Sequence, residues 1–314
     1  MSKTRKVIGM GETIMDIIFR NGQPQAAVHG GSSFNSIVSV GRAGVPCVFV
    51  GDTGADIVGR QTLDFMRANH VGTDYCPMRP DMKSAVSLAY LDDNGDASYV
   101  FYKQKPEAPK EWTLPQIDAD DVLLYGSYFA SCRGMRPLVE DMLSHATAGG
   151  AIIYYDINFR SSHSHELEAL LPTIEDNCRR SSIVRGSADD FEVLFGERDA
   201  ATIYDRYIRK LCPVFICTSG AGAVTVCLPH DTLRFPVPRV EDVASTVGAG
   251  DNFNAGLVCS LIWRGIRKDM LPALGSEEWQ HLLATACAFS GNACRTLDNY
   301  ISVEFGLRAS GLPV

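Results

Sequence analysis

The sequence predicts an α/β protein, a mostly parallel sheet with helices on both faces and a small β-sheet beside it. Short apolar runs alternate with longer segments of helical spacing, the pattern of strand–helix–strand units. One region breaks the alternation: 84–91 and 97–103 read as two strands joined by a DDNGD turn with Asn94-Gly95 at its tip, the signature of a hairpin. Hydrophobic residues make up 46% of the 314 and charged residues 21%, enough for a packed core and against disorder. The expectation is one domain over 1–314.

The main strands are expected at 6–10, 47–51, 122–125, 151–155, 182–185, 214–218 and 223–228. The helices are expected at 35–42, 58–69, 135–148, 199–211, 249–263 and 277–294. Segment 58–69 shows the spacing clearly, with Leu63, Phe65 and Met66 on one side and Arg60, Asp64 and Arg67 around it. In such sheets ligands bind beyond the C-terminal strand ends. The strands that leave the alternation, in about 14–30 and 84–104, suit a lid over that edge.

Composition narrows the partners. The net charge is 29 − 37 = −8, without the basic patch of a nucleic-acid surface. No window is long and apolar enough to span a membrane. The apolar run after Lys6 is interrupted by Glu12 and Asp16, unlike a signal peptide. Ten cysteines show no CxxC pair or metal spacing, and most lie in apolar runs, as buried thiols do in a reducing compartment. A cytoplasmic protein is expected.

Ser245–Gly256 is the most informative stretch. Gly248, Ala249 and Gly250 precede Asp251 and open a helical pattern. Such a turn points backbone N–H groups outward at the positive end of the helix dipole, making an anion hole. A carboxylate beside it makes sense if it takes a proton from an alcohol attacking a bound phosphate. The same residues also read as a Gly-rich turn with Asp251 in an ordinary first-turn position, and both readings stand open.

Other segments carry polar residues at expected strand ends or helix starts. Asp16 closes GETIMD, and a carboxylate grips vicinal hydroxyls well; it also reads as a solvent-exposed Asp at a strand end. Gly30-Gly31 precede Asn35, whose amide both donates and accepts; it also reads as a helix cap. Asp156-Ile157-Asn158-Phe159-Arg160 follows a strand, where an Arg fork suits phosphate or a sugar acid. His163 and His165 form the only close His pair, with metal binding a minor reading.

Together these motifs resemble the ribokinase-like (phosphofructokinase B-type) carbohydrate kinases, from Gly9 to about Asn299. The stretch to Asp251 is similar to the family's D-T-x-G-A-G-D, Gly30-Gly31 and Asn35 to its G-G-x-x-x-N, and Asp156–Arg160 to the D-x-N-x-R of fructokinase- and ketodeoxygluconate-kinase-like members. The resemblance implies an ATP-dependent sugar kinase with Asp251 as base and the amides of Gly248, Ala249 and Gly250 on the transferred phosphate. It implies sugar contacts from Asp16, Gly30, Gly31, Asn35, Asn158 and Arg160. It implies nucleotide contacts from Ser187, Thr218, Gly220, Gly250 and Asn292, and an indirect magnesium role for Asp190. Ser187 and Asp190 replace the family's usual Asn and Glu. Ser245 stands where the family usually carries the Asp that helps hold a monovalent cation, so weak or no potassium activation is expected. Tyr90, Tyr99 and Phe101 would wall the sugar under the lid, and a homodimer through the lid is a further expectation. Fructose, a ketohexonate or a related ketose leads as acceptor. A nucleoside kinase and a catalytically silent sugar sensor are the alternatives.

Overall fold

The computed structural model of the chain describes residues 4–92 and 97–311. Nine strands form the main sheet, in spatial order Thr232–Pro236, Ala223–Cys227, Phe215–Thr218, Ile183–Ser187, Ile152–Asp156, Val122–Gly126, Val7–Met10, Cys47–Val50 and Val71–Tyr75. From Phe215–Thr218 to Val71–Tyr75 every pairing is parallel, and only the two pairings at the other edge are antiparallel.

Successive strand residues feed opposite layers. Val122, Leu124, Ile152 and Tyr154 join one core cluster, under the helices Ser32–Arg42, Ala249–Trp263 and Ser276–Ala293. Leu123, Tyr125, Ile153 and Tyr155 join the other, under Arg136–Gly149, Leu167–Arg180 and Ala188–Phe195. Burial on both faces explains why these strands read as unbroken apolar runs. The chain runs outward from Val7–Met10 to Val71–Tyr75, then returns to pair Val122–Gly126 on the other side of Val7–Met10. That reversal places a crevice at the C-terminal ends of the central strands.

A second sheet orders Gln23–Gly30, Ile14–Arg20, Ala85–Leu91 and Ala97–Tyr102. Its two central strands run parallel with Asp16 opposite Ser87, and Ala89 stands opposite Tyr99. The period of two puts Asp16, Ser87, Tyr99 and Phe101 on one face. Tyr90 falls on the other, stacked on Phe19 at 5.0 Å and exposed. Tyr90 therefore does not share a face with Asp16, Tyr99 and Phe101, contrary to the expectation that the three aromatics line one wall. The expected hairpin tip at Asn94-Gly95 lies outside the described residues.

Several elements differ from the sequence pattern. Leu167–Arg180 is a helix the periodicity does not reveal, because Pro172 sits inside it. Segment 199–211 is not one α-helix: Ala200–Ile203 passes into a π-helical turn at Tyr204–Ile208, closed by Arg209 N–H donating to the Tyr204 carbonyl. The edge strands Val71–Tyr75 and Thr232–Pro236 carry polar residues and a terminal proline, which suits an edge and hides a strand from an apolar-run search.

Candidate active site

The helix Ala249–Trp263 begins at Gly248, which has φ +76°. A Cβ there would lie 2.9 Å from the Asn299 carbonyl oxygen, so both backbone shape and space demand glycine. Asp251 stands in the first turn, buried. Its Oδ1 accepts from Ser32 Oγ at 2.7 Å and its Oδ2 from Asn35 Nδ2 at 2.8 Å. Both donors sit on the first turn of Ser32–Arg42, which faces the same crevice. Asn158, with φ +38°, reaches in from the end of Ile152–Asp156 and donates from Nδ2 to Ser32 Oγ at 2.9 Å. Burial pushes the Asp251 carboxyl above the usual range and Asp156 adds to this, while Asn35, Ser32 and Arg160 oppose it.

Gly30 and Gly31 make close approach possible. A Cβ on Gly30 would lie 2.3 Å from Asp16 Oδ2, and one on Gly31 would lie 2.2 Å from the Glu12 carbonyl. The space that side chains would take is thus filled by Asp16 and the Glu12 backbone. Asp16 is buried on the small sheet. It accepts a short hydrogen bond from Ser87 Oγ, and its Oδ2 accepts from Asn299 Nδ2 at 3.2 Å. Burial drives its pKa to about 6, helped by Asp251 and Glu12 and opposed by the donors Ser87 and Asn299. Tyr99 interacts electrostatically with Asp16, Asp251 and Arg160, so these groups lie within electrostatic reach of one side chain. Arg160 is exposed and makes no side-chain hydrogen bond or ion pair among the described residues.

A second network lies beside the anion-hole turn. Arg185, buried at the middle of Ile183–Ser187, donates from Nη1 to Asp156 Oδ1 at 3.0 Å and from Nη2 to Thr218 Oγ1 at 2.9 Å. Asp156 Oδ2 accepts from Asn254 Nδ2 at 2.7 Å, and Tyr154 OH donates to Asn254 Oδ1 at 2.9 Å. The guanidinium lies against Gly250, where a Cβ would meet Nη2 at 3.1 Å. Burial alone would lower the Arg185 pKa, but Asp156 leads the groups that raise it, so the side chain stays charged. Sequence reasoning missed Arg185. The available signal was one arginine in an apolar strand run. It also missed Ser32, Ser87 and Asn299, each of which touches a site carboxylate.

Other expected residues have local duties. Asp190 Oδ2 accepts from Ser187 N at 2.6 Å and Ser187 Oγ at 2.7 Å, while Ser187 Oγ accepts from Asp190 N at 3.1 Å. This capping box opens Ala188–Phe195. Ala249 N–H donates to the Thr246 carbonyl at 3.2 Å inside the turn, a use that competes with phosphate. Asn292 Oδ1 accepts from Ser302 N at 2.8 Å and so orders the C-terminal loop. Gly220, φ +49°, lies exposed beyond Thr218 with open space around it. His163 stacks on Tyr128 at 3.9 Å. No group of three His, Cys, Asp or Glu among the described residues could hold a metal ion. No described helix is long and apolar enough to cross a membrane.

The comparisons with known proteins point the same way. Aminoimidazole riboside kinase of Salmonella typhimurium is 29% identical over 304 residues, covering 94% of this chain and 89% of the relative. A fructokinase of Rhizobium leguminosarum bv. trifolii is 27% identical over 264 residues, 81% of this chain and 79% of its own. The fold is shared with Salmonella enterica aminoimidazole riboside kinase complexed with aminoimidazole riboside and an ATP analog (TM-score 0.77, 23% identity, 95% of this chain and 96% of that one). It is also shared with a Vibrio cholerae fructokinase double mutant holding fructose, ADP and potassium (TM-score 0.84, 19% identity, 96% and 95%). The family model described as pfkB family carbohydrate kinase matches residues 5–295. On that match this chain, with its buried carboxylate at a glycine-opened helix start, belongs to the pfkB family of carbohydrate kinases.

Proposed function

We propose that the chain transfers the γ-phosphoryl group of ATP to a primary hydroxyl of a small sugar, with fructose, a ketohexonate or a related ketose as the leading acceptor. The observation that supports this best is Asp251, held by Ser32 and Asn35 at the start of a helix whose Gly250 rests on the Arg185 guanidinium. In this reading Asp251 accepts the hydroxyl proton as the sugar oxygen bonds to phosphorus. The bond from phosphorus to the ADP oxygen breaks, and ADP leaves. A raised carboxyl pKa suits a base. The donors Ser32 and Asn35 fix its direction, and Asn158 fixes Ser32 in turn. First-turn amides of Ala249–Trp263, the helix dipole and the Arg185 charge favour negative charge on the moving group.

Asp16, Asn35, Asn158 and Arg160 are assigned to the sugar, with Gly30 and Gly31 shaping the turn beneath it. Gly250, Thr218 and Gly220 are assigned to the nucleotide phosphates. A magnesium cage built from the protein's own carboxylates does not fit the described residues, whereas a metal carried by the nucleotide with its waters does. Such a metal would neutralise phosphate charge, with Asp190 as its indirect partner if the capping box opens. The small sheet closes over the sugar and excludes water.

An aminoimidazole riboside or another nucleoside is the second reading, favoured by the 29% identity to a kinase of that name. A panel of fructose, 2-keto-3-deoxygluconate, ribose, aminoimidazole riboside and adenosine, read by coupled ADP release, decides between them. A ketose or ketohexonate with the highest kcat/KM supports the first reading. A riboside in that place replaces it, and no turnover with any of them returns the chain to a silent sensor.

A further inference from the structure

We propose that Asn299 completes the sugar subsite: its amide nitrogen fixes Asp16, its amide oxygen accepts from a sugar hydroxyl, and its backbone ties that subsite to the anion-hole turn. The inference rests on the assignment of Asp16 to the sugar. Asn299 lies in the loop after Ser276–Ala293, and it is 1% exposed. Nδ2 donates to Asp16 Oδ2 across 283 residues of sequence. Its carbonyl accepts from Asn252 Nδ2 at 2.9 Å, and that same nitrogen donates to the Gly248 carbonyl at 2.8 Å. Asn252 directly follows Asp251. The next residue, Tyr300, donates a short hydrogen bond to the His29 carbonyl of the small sheet. Ile301 N–H donates to Ser39 Oγ at 3.2 Å. One short loop thus touches the small sheet, the sugar carboxylate and the anion-hole turn.

The unpaired atoms point to a ligand. Asn299 Oδ1 is buried without a hydrogen-bond partner, and so is Asn35 Oδ1. Each belongs to an asparagine whose nitrogen grips a site carboxylate, Asn299 on Asp16 and Asn35 on Asp251. Buried amide oxygens are nearly always paired. Two orphaned acceptors beside two carboxylates call for a molecule rich in donors, which describes a polyol. The pairing also fixes how Asp16 titrates. Donation from Ser87 and Asn299 favours its ionised, accepting form against burial, Asp251 and Glu12. The other titratable groups facing it are Tyr99 from the small sheet, with Arg160 beyond, and Tyr300 from the loop. His29 of the neighbouring strand turns to Thr62 and Phe65.

The test compares Asn299→Ala and Asp16→Asn with wild type, using the best acceptor from the panel. For Asn299→Ala we expect KM for the sugar to rise about ten-fold, the scale of one lost site hydrogen bond, with KM for ATP within two-fold. The acid limb of kcat/KM for the sugar should also move to higher pH, because Asp16 then protonates more readily. Asp16→Asn should raise KM for the sugar at every pH. If Asp16→Asn leaves that KM unchanged, the assignment of Asp16 fails. If Asp16→Asn raises it but Asn299→Ala moves neither KM nor the acid limb, the inference about Asn299 is overturned. Equal losses for sugar and ATP with a lower Tm and an unmoved acid limb would make Asn299 structural only, and also overturn it. Should the alanine variant not fold, Asn299→Ser, which keeps a small polar group, is read by the same criteria.

Discussion

At the scale of a single residue, the proposed transfer rests most heavily on Asp251. Asp251→Asn keeps the size and most of the hydrogen-bond geometry of the site but removes the base. We expect kcat to fall by roughly 10²–10⁴ with ATP affinity and fold retained, checked by coupled ADP release, nucleotide titration and circular dichroism. Turnover within a few-fold of wild type would remove Asp251 from its role. Arg160, unpaired among the described residues and within electrostatic reach of Asp251, is a probe of the acceptor. Arg160→Ala should raise KM for the sugar far more than KM for ATP, by roughly ten- to hundred-fold for a charged contact. A rise in KM for ATP alone would move Arg160 to the phosphate side and weaken the case for a sugar acid. Gly248→Ala tests the turn itself. At φ +76°, with the Asn299 carbonyl 2.9 Å from the new methyl, it should cost about 1–2 kcal/mol from the left-handed backbone alone. A thermal melt indistinguishable from wild type would show that the turn relaxes.

At the scale of elements, what was legible in the sequence depended on contiguity. GAGD, GGSSFN and DINFR each mark a strand end or a helix start, so their residues arrive at one sheet edge together. Asn158 indeed meets Asp251 through Ser32, and Asn35 binds Asp251 directly. The chemistry missed was of another kind. Arg185 is one charge in an apolar strand, and its meaning depends on Asp156 and Gly250 folding against it. Asn299 lies in a loop without periodicity, and Ser87 becomes a partner of Asp16 only through strand register. Ser187 and Asp190 show the converse, since a motif read as nucleotide chemistry also builds a helix cap. The turn at Ser245 yields a prediction at this scale. Ser245 is buried, its N–H donates to the Cys294 carbonyl at 3.2 Å and its Oγ accepts from Val247 N at 3.1 Å. Its hydroxyl thus has a structural duty, and it lacks the charge that best holds a monovalent cation. Replacing a bulky organic cation by potassium at equal ionic strength should change kcat little. Strong activation at millimolar potassium would show that other ligands build the site.

For the molecule as a whole, the small sheet carries apolar side chains on both faces, and one of these faces also bears Asp16 and Ser87. Asp16, Ser87, Tyr99 and Phe101 share the face that bears the site groups. Tyr90, Val100 and Tyr102 share the opposite face, 42%, 47% and 61% exposed. Phe19 extends that patch by stacking on Tyr90. Charged residues are the usual defence of an exposed sheet, and contiguous exposed apolar surface marks an interface more often than it marks chance. A second copy of the chain supplies the same apolar face and the same sheet edges, so a two-fold pairing through the small sheet covers both patches at once. The prediction is a dimer in sedimentation equilibrium at micromolar concentration, shifted towards monomer by Val100→Lys combined with Tyr102→Ser. If the same strands close over the sugar as proposed, the monomeric variant should show a raised KM for the acceptor while KM for ATP changes little. A wild-type chain that sediments as a monomer at all concentrations would refute the pairing. A monomeric variant with unchanged sugar KM would separate assembly from the site.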